Sequence, residues 1–207
     1  AERSFSYEAG ADYFAGKALK IGGTFFQRFH RKLIDYVTTS YADMPRKDNL
    51  VPGGTYALAK NIAKVNTSGA ELDIQYQQKL QGDNNVYAGA GLVWLKSTSS
   101  EITPSFYVSS HARFMANFFV EYAFSRFLIS VNGIYKDRAA QEAPAIHAML
   151  DKNYFVFNAR AAFYTWQRKL NIFVRVDNIA DTRYSDLLGA QMPGRWLTGG
   201  INYAFSR

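Results

Sequence analysis

The chain has no cysteine, which excludes both disulfide staples and thiolate metal sites. Proline is scarce, with five in 207 residues. No apolar run approaches the ~18 residues that a membrane-crossing helix needs. The first residues, AERSFSYEAG, lack the basic-then-apolar pattern of an export signal. An exported chain of this composition would therefore be a mature form or a fragment. Block-like basic tails are missing too. Although the formal net charge is +7, Lys and Arg are spread along the chain. That distribution reads as scattered solvated charge, some of it near lipid phosphates, and gives no reason to expect a nucleic-acid partner.

Aromatic residues are plentiful, at 16% with 14 Tyr and 16 Phe, and their spacing carries the main signal. Phe5, Tyr7, Ala9, Ala11 and Tyr13 alternate with Ser4, Ser6, Glu8, Gly10 and Asp12. After a short Ala15-Gly16-Lys17 turn, Leu19, Ile21, Gly23 and Phe25 form the next apolar row. The pattern repeats at Leu72–Tyr76, Val86–Trp94, Phe114–Tyr122, Phe127–Tyr135, Phe155–Phe163, Ile172–Val176 and Leu197–Phe205. Persistent period two is the mark of strands whose faces meet different surroundings. Helical periodicity is convincing nowhere.

A mean hydropathy of -0.22 suits either a soluble barrel or a membrane barrel, because alternation averages to neutral. Three features favour lipid. The segments reach about 10 residues, the length that crosses a bilayer at barrel tilt, where strands of soluble proteins average five or six. Tyr13, Tyr76, Tyr122, Tyr135 and Tyr203 sit at row ends, as interfacial girdles do. Connections also alternate: short turns follow Phe14, Gln78, Ala123 and Thr165, and long polar loops follow Val37, Lys96, Lys136 and Asp177. The expected fold class is therefore all-β, an antiparallel transmembrane β-barrel. About nine strands are expected, near 4–14, 18–37, 62–78, 85–96, 110–123, 126–137, 153–165, 169–177 and 195–205. An odd count, with first and last strands running the same way, reads as a chain that begins mid-barrel.

Asn171 to Phe205 resembles the end of TonB-dependent outer-membrane receptors. The elements that carry the resemblance are Val176-Asp177-Asn178, Arg183-Tyr184, Pro193-Gly194-Arg195 and the aromatic Phe205, although Ser206 and Arg207 follow it where the family commonly ends on an aromatic. The run from Asn61, with Gly69 and Glu71, is similar to the family's Asn-rich strand entry. Glu2, Ser4, Tyr7, Glu8 and Gly10 match a strand near the middle of such barrels. Together these span the whole chain in family order.

The resemblance implies that residues 1–207 are the C-terminal part of a barrel of roughly twenty-two strands, with the N-terminal plug absent. It implies a bacterial outer-membrane importer of a scarce ligand: a ferric siderophore, haem, cobalamin or a glycan. The implied partners are outer-membrane lipid, the rest of the barrel and its plug, TonB only through the missing N-terminal region, and a small-molecule or metal-chelate ligand. No cofactor and no enzyme activity are expected, and no transport by this segment alone, since two open edges in lipid are prohibitive. A self-contained porin-like barrel and a soluble β-barrel binding protein stand as alternatives.

His30, His111 and His147 lack ligand-like spacing, and the Phe-Arg-Ala-Pro stretch of haem receptors is missing. Gly89-Ala90-Gly91 reads as small strand residues, since no helix follows. His111 follows Ser109-Ser110, but adjacency does not make a catalytic arrangement. Alternation puts Lys20, Arg28, His30, Glu71, Asp73, Arg113, Glu121, Arg160 and Arg175 on the lumen side. There they would pair across strands and contact the plug, or guide an anionic ligand. Tyr41, Arg46, Lys47, His147 and Met149 in loops 38–60 and 137–152, with Arg183 and Tyr184, are the candidates for ligand contact.

Overall fold

The computed structural model describes residues 1–46, 48–49, 53–100, 111–143 and 148–205, without the side chains of residues 38, 62, 63, 142, 143 and 148. It is built of antiparallel strands. Nine of them form one sheet: β1 (Arg3–Ala15), β2 (Leu19–Ser40), β3 (Thr55–Lys79), β4 (Asn85–Ser99), β5 (Ala112–Phe124), β6 (Phe127–Arg138), β9 (Asn153–Thr165), β10 (Leu170–Asp177) and β13 (Trp196–Tyr203). They neighbour one another in strict chain order, and β1 and β13 are the outer strands. The sheet is a partial barrel, not a closed one. Two short hairpins sit in the connections: β7 (Gln141–Ala143) with β8 (Ala148–Leu150), and β11 (Ser185–Leu187) with β12 (Ala190–Gln191).

Register shows why the alternation matters. Tyr13 faces Ile21, Ile21 faces Ile74, and Ile74 faces Ala90. The row continues through Phe118, Gly133, Phe157 and their neighbours to Val174, Gly199 and Ile201. Every apolar row read from the sequence thus falls on the same face of the sheet. A one-residue slip at any of the eight junctions would have sent the remaining rows to the opposite side. Most large exposed apolar side chains belong to this face, among them Phe5, Phe25, Trp94, Val120, Ile129, Phe155, Ile172, Val174 and Ile201. A contiguous apolar surface of this size marks an interaction surface.

The buried apolar side chains are few among the described residues: Leu33, Val37, Val65, Ala112, Leu150, Tyr154, Val156 and Ala162. Most of them gather toward the rim that carries the long loops, so the sheet has no central core along its span. Cross-strand contacts take that role. Phe118 lies across Gly133, where an added β-carbon would come 2.6 Å from the ring, and Phe26 covers Gly69 in the same way. These two in-strand glycines therefore admit a neighbour's ring.

The four short connections, 16–18, 80–84, 125–126 and 166–169, all lie on one rim. Left-handed backbone closes them at Gly16, Gly82 and Ser125, and at three consecutive residues, Trp166, Gln167 and Arg168 (φ 52, 55 and 65). The long connections lie on the opposite rim. Two of these are shorter than expected. β2 and β3 continue to Ser40 and from Thr55, so the expected loop 38–60 shrinks to 41–54. Loop 137–152 contains the β7–β8 hairpin. The alternation fades there for a local reason: Lys32 has φ 55, and beyond it burial changes phase, with Leu33, Val37 and Thr39 covered while Ile34 and Tyr36 are exposed.

Candidate functional site

On the long-loop rim, the connection 178–195 is held down by two polar assemblies. The first begins at Asn178, which ends β10 in the left-handed region (φ 51), a conformation that Asn tolerates better than most residues. Its side chain is buried and fully engaged. Nδ2 donates to the carbonyls of Thr182 (2.9 Å) and Pro193 (3.3 Å), while Oδ1 accepts from the Thr182 amide at 2.9 Å. Its own amide donates to Asn158 Oδ1 at 2.9 Å, and Asn158 Nδ2 in turn donates to Asn132 Oδ1 at 2.7 Å. One ladder of asparagines thus ties β6, β9 and β10 to the loop. Asp181 Oδ1 accepts the Arg195 amide at 2.8 Å. A β-carbon at Gly194 would lie 2.6 Å from that carboxylate oxygen, so the Pro-Gly-Arg element needs glycine for close approach.

The second assembly centres on Arg138, whose side chain is 1% exposed. Its guanidinium donates from Nε to the Asp151 carbonyl (3.2 Å), from Nη1 to the Asp186 carbonyl (3.2 Å) and from Nη2 to the Ser185 carbonyl. The Asp186 carboxylate accepts from Lys136 Nζ at 3.1 Å and from the Tyr154 hydroxyl at 2.6 Å, with Arg138 Nη1 at 3.7 Å. Arg138 also stands over the Tyr154 ring at 5.4 Å, and Tyr154 packs on Tyr184 with ring centroids 4.7 Å apart. Arginine suits this place because its planar fork serves three carbonyls from one buried position. Between the assemblies lies a recess lined by Val156, Asn158, Asp177, Tyr184 and Trp196. Its walls are the aromatic faces of Tyr184 and Trp196, beside the Asn158 amide and the Asp177 carboxylate that Arg175 already pairs.

Burial alone would raise the Asp186 pKa, but hydrogen bonds from Tyr154 and Lys136, with the charges of Lys136 and Arg138, hold it below the usual carboxylate range. Burial and the nearby Asp186 charge push the Tyr184 phenol up. A depressed carboxylate stabilises above its unfolded pKa, and that contribution is lost as pH falls through the folded one. The protection factors of residues 178–195, corrected for the intrinsic pH dependence of exchange, are therefore expected to hold from neutrality down to about pH 4, near the unfolded Asp value, and to fall below it. Asp186→Asn is expected to exchange faster at neutrality with no such transition. An identical acid profile in both proteins would contradict the assignment.

The expected inward charges take register positions opposite the apolar rows, except Arg113, which lies in a bulge between Ala112 and Phe114 and has no register partner. Lys20 pairs with Asp12 across strands at 3.0 Å, Arg175 with Asp177 at 2.7 Å, and Asp73 accepts from Gln75 at 2.7 Å. Arg28 and Glu71 line one recess with Glu8. Arg160 lies over the Phe173 ring at 5.0 Å. Glu121 faces Tyr87 and Ser130 across the neighbouring strands. His30 is buried there, 3.9 Å from Glu2. His111 Nδ1 meets Ser97 Oγ at 3.0 Å, and that oxygen is also 2.9 Å from Thr67 Oγ1. Burial, then Arg28, lowers the His111 pKa.

The expected ligand contacts do not gather in one place. Tyr41 opens a short 3-10 turn and stacks on Tyr56 at 6.0 Å, and Arg46 is exposed nearby. Met149, Arg183 and Tyr184 belong to the other loop group, with β4 and β5 between. Lys47 and His147 lie outside the described residues. Sequence reasoning missed Arg138, Tyr154 and Asp186. The single local signal was an arginine closing an alternating strand, which is too common to single out.

A family model described as TonB dependent receptor-like, beta-barrel matches residues 1–179. Among solved structures, the copper transporter OprC is similar over 99% of this chain and 31% of its own, with 17% identity and a TM-score of 0.70. The pyoverdine outer membrane receptor FpvA from Pseudomonas aeruginosa PAO1 is similar over 99% and 30%, with 17% identity and a TM-score of 0.71. The ferric-catecholate import receptor Fiu from K12 E. coli gives 99% and 28%, with 14% identity and a TM-score of 0.70. The chain thus spans about three-tenths of the length of these proteins. No curated protein sequence matches it.

Proposed function

The chain belongs to the TonB-dependent receptor β-barrel family, and from that premise we propose that it forms a nine-strand arc of the wall of an outer-membrane importer. Its apolar face meets hydrocarbon. Its opposite face, with Lys20, Arg28, Glu71, Asp73, Arg113, Glu121, Arg160 and Arg175, lines the lumen against a plug supplied by the rest of the protein. The long-loop rim faces outward and contributes Tyr184 and its recess to ligand capture, together with Tyr41, Arg46, Lys47, His147, Met149 and Arg183. Metal ions and metal chelates lead the ligand classes, because the structural neighbours' names include copper, pyoverdine and ferric catecholate. Uptake draws energy from TonB through segments outside this chain.

One observation carries the reading: register brings every apolar row onto one continuous face. It sets up a direct test on two neighbouring strands. Ala90 lies midway along the apolar row of β4, while Asn117 points the other way on β5. An arginine on the lipid face near the bilayer midplane costs about 2–4 kcal/mol. Ala90→Arg is expected to deplete the folded, heat-modifiable form from outer membranes, with Asn117→Arg staying near wild type. Equal tolerance of both would overturn the reading.

A further inference from the structure

On the apolar face, the row nearest the long-loop rim changes character abruptly. Arg3 faces Arg31, and Arg31 faces Lys64. Three cations stand side by side across three strands, all exposed. Cross-strand neighbours on one face have β-carbons about 5 Å apart, and like charges placed so are destabilising. Among the described residues, no ion pair joins any of the three to a carboxylate. Glu2 is directed to His30 on the opposite face, and Asp35 acts on His111.

The surroundings narrow the kind of anion that would suit these cations. The cations share a recess with Phe5, Phe29 and Asn66, whose lining also reaches Ser4 and His30, and Phe5 is 65% exposed. Phe5 and Phe29 face each other in the next row down, so apolar rings adjoin the charges on the side of the apolar band. The level also fits. Tyr13 lies ten residues along β1 from Arg3. That is roughly 34 Å of strand and roughly 26 Å along the membrane normal at barrel tilt, close to the height of the apolar band. A ligand seated here has acyl chains below and negative charge at the cations. Arginine binds phosphate through paired hydrogen bonds.

We propose that Arg3, Arg31 and Lys64 form a docking site for the phosphorylated headgroup of an outer-leaflet lipid. The site rests on the reading that the apolar face meets hydrocarbon. The test uses the intact membrane protein in detergent micelles, with bisphosphorylated lipid A and its dephosphorylated form as probes. Binding is counted by native mass spectrometry. Wild type is expected to hold the phosphorylated lipid at least tenfold more tightly than the stripped one. Arg3→Gln/Arg31→Gln/Lys64→Gln is expected to lose that preference, while Lys17→Gln/Lys79→Gln/Lys169→Gln at the short turns keeps it. Arg31→Lys, which retains the charge, is expected to bind within a few-fold of wild type and guards against a folding artefact.

Equal binding of both lipids, or a triple variant that behaves as wild type, overturns the site. Displacement by millimolar inorganic phosphate overturns the assignment to lipid. Nitroxide labels at Leu72, Ala116 and Val174 separate the two levels of the claim. If they report hydrocarbon and the triple variant binds normally, the docking site alone is wrong. If they report water, the membrane reading falls and takes the site with it.

Discussion

Arg138→Met is expected to release the connection 178–195 from the strands beneath it while leaving the nine-strand sheet paired. The substitution keeps most of the side-chain volume but removes every donor at a fully buried position. The carbonyls of Asp151, Ser185 and Asp186 lose their guanidinium hydrogens together. Breaking a buried charged pair from one side costs about 3–5 kcal/mol. The Asp186 carboxylate is 42% exposed, so solvent screens its part and the lower end applies. Hydrogen exchange should show the amides of 185–191 losing two or more orders of magnitude of protection, with those of β6 and β9 unchanged near the middle of the strands. Arg138→Lys should recover little, because one ammonium cannot serve three diverging carbonyls. If 185–191 keep their protection in Arg138→Met, Arg138 does not hold the loop.

Asn178→Ala is the second large effect. It deletes three hydrogen bonds, two donated and one accepted, each worth about 1 kcal/mol net. It also puts alanine at φ 51, which adds roughly 1–2 kcal/mol for a residue without a local side-chain partner. The total is about 4 kcal/mol, read as the opening free energy at the Thr182 amide. Two companions separate the causes. Asn178→Gly removes the bonds and keeps the backbone comfortable, so it should recover roughly 1–2 kcal/mol of the loss. Asn178→Asp keeps the acceptor for Thr182 but no longer donates to the Thr182 and Pro193 carbonyls, and should fall in between. If alanine and glycine prove equal, the backbone contribution is absent and the hydrogen bonds carry the whole effect.

These two residues also show where sequence reasoning succeeds and where it stops. All nine sheet strands were predictable, and so was the face of the side chains wherever the alternation is unbroken, because a period of two converts directly into two surroundings. Phe118 and Ile129 needed no knowledge of their partners to be assigned a face. Asn178 stood out within a motif, yet its work could not be read: its partners Thr182 and Pro193 are loop carbonyls, and side-chain preference does not record a backbone acceptor. Arg138 and Asp186 are 48 residues apart, and nothing local couples them. The hairpins β7–β8 and β11–β12 are too short to display a period. Beyond Lys32, a single left-handed residue changes the phase of burial, and a strand with apolar residues on both faces, Leu33 and Val37 against Ile34 and Tyr36, no longer shows a period of two.

The sorting of short turns to one rim and long connections to the other has an evolutionary consequence. Lengthening a surface loop costs little, about 0.6 kcal/mol for each doubling, provided that its anchors hold. At the tight rim there is no slack, since an extra residue there would shift the register of a whole hairpin and turn its greasy side inward. Innovation is therefore channelled to one end of the molecule. Insertions above Arg138 and Asn178 leave the strand pairing below in register, so length can vary at that rim without disturbing the wall.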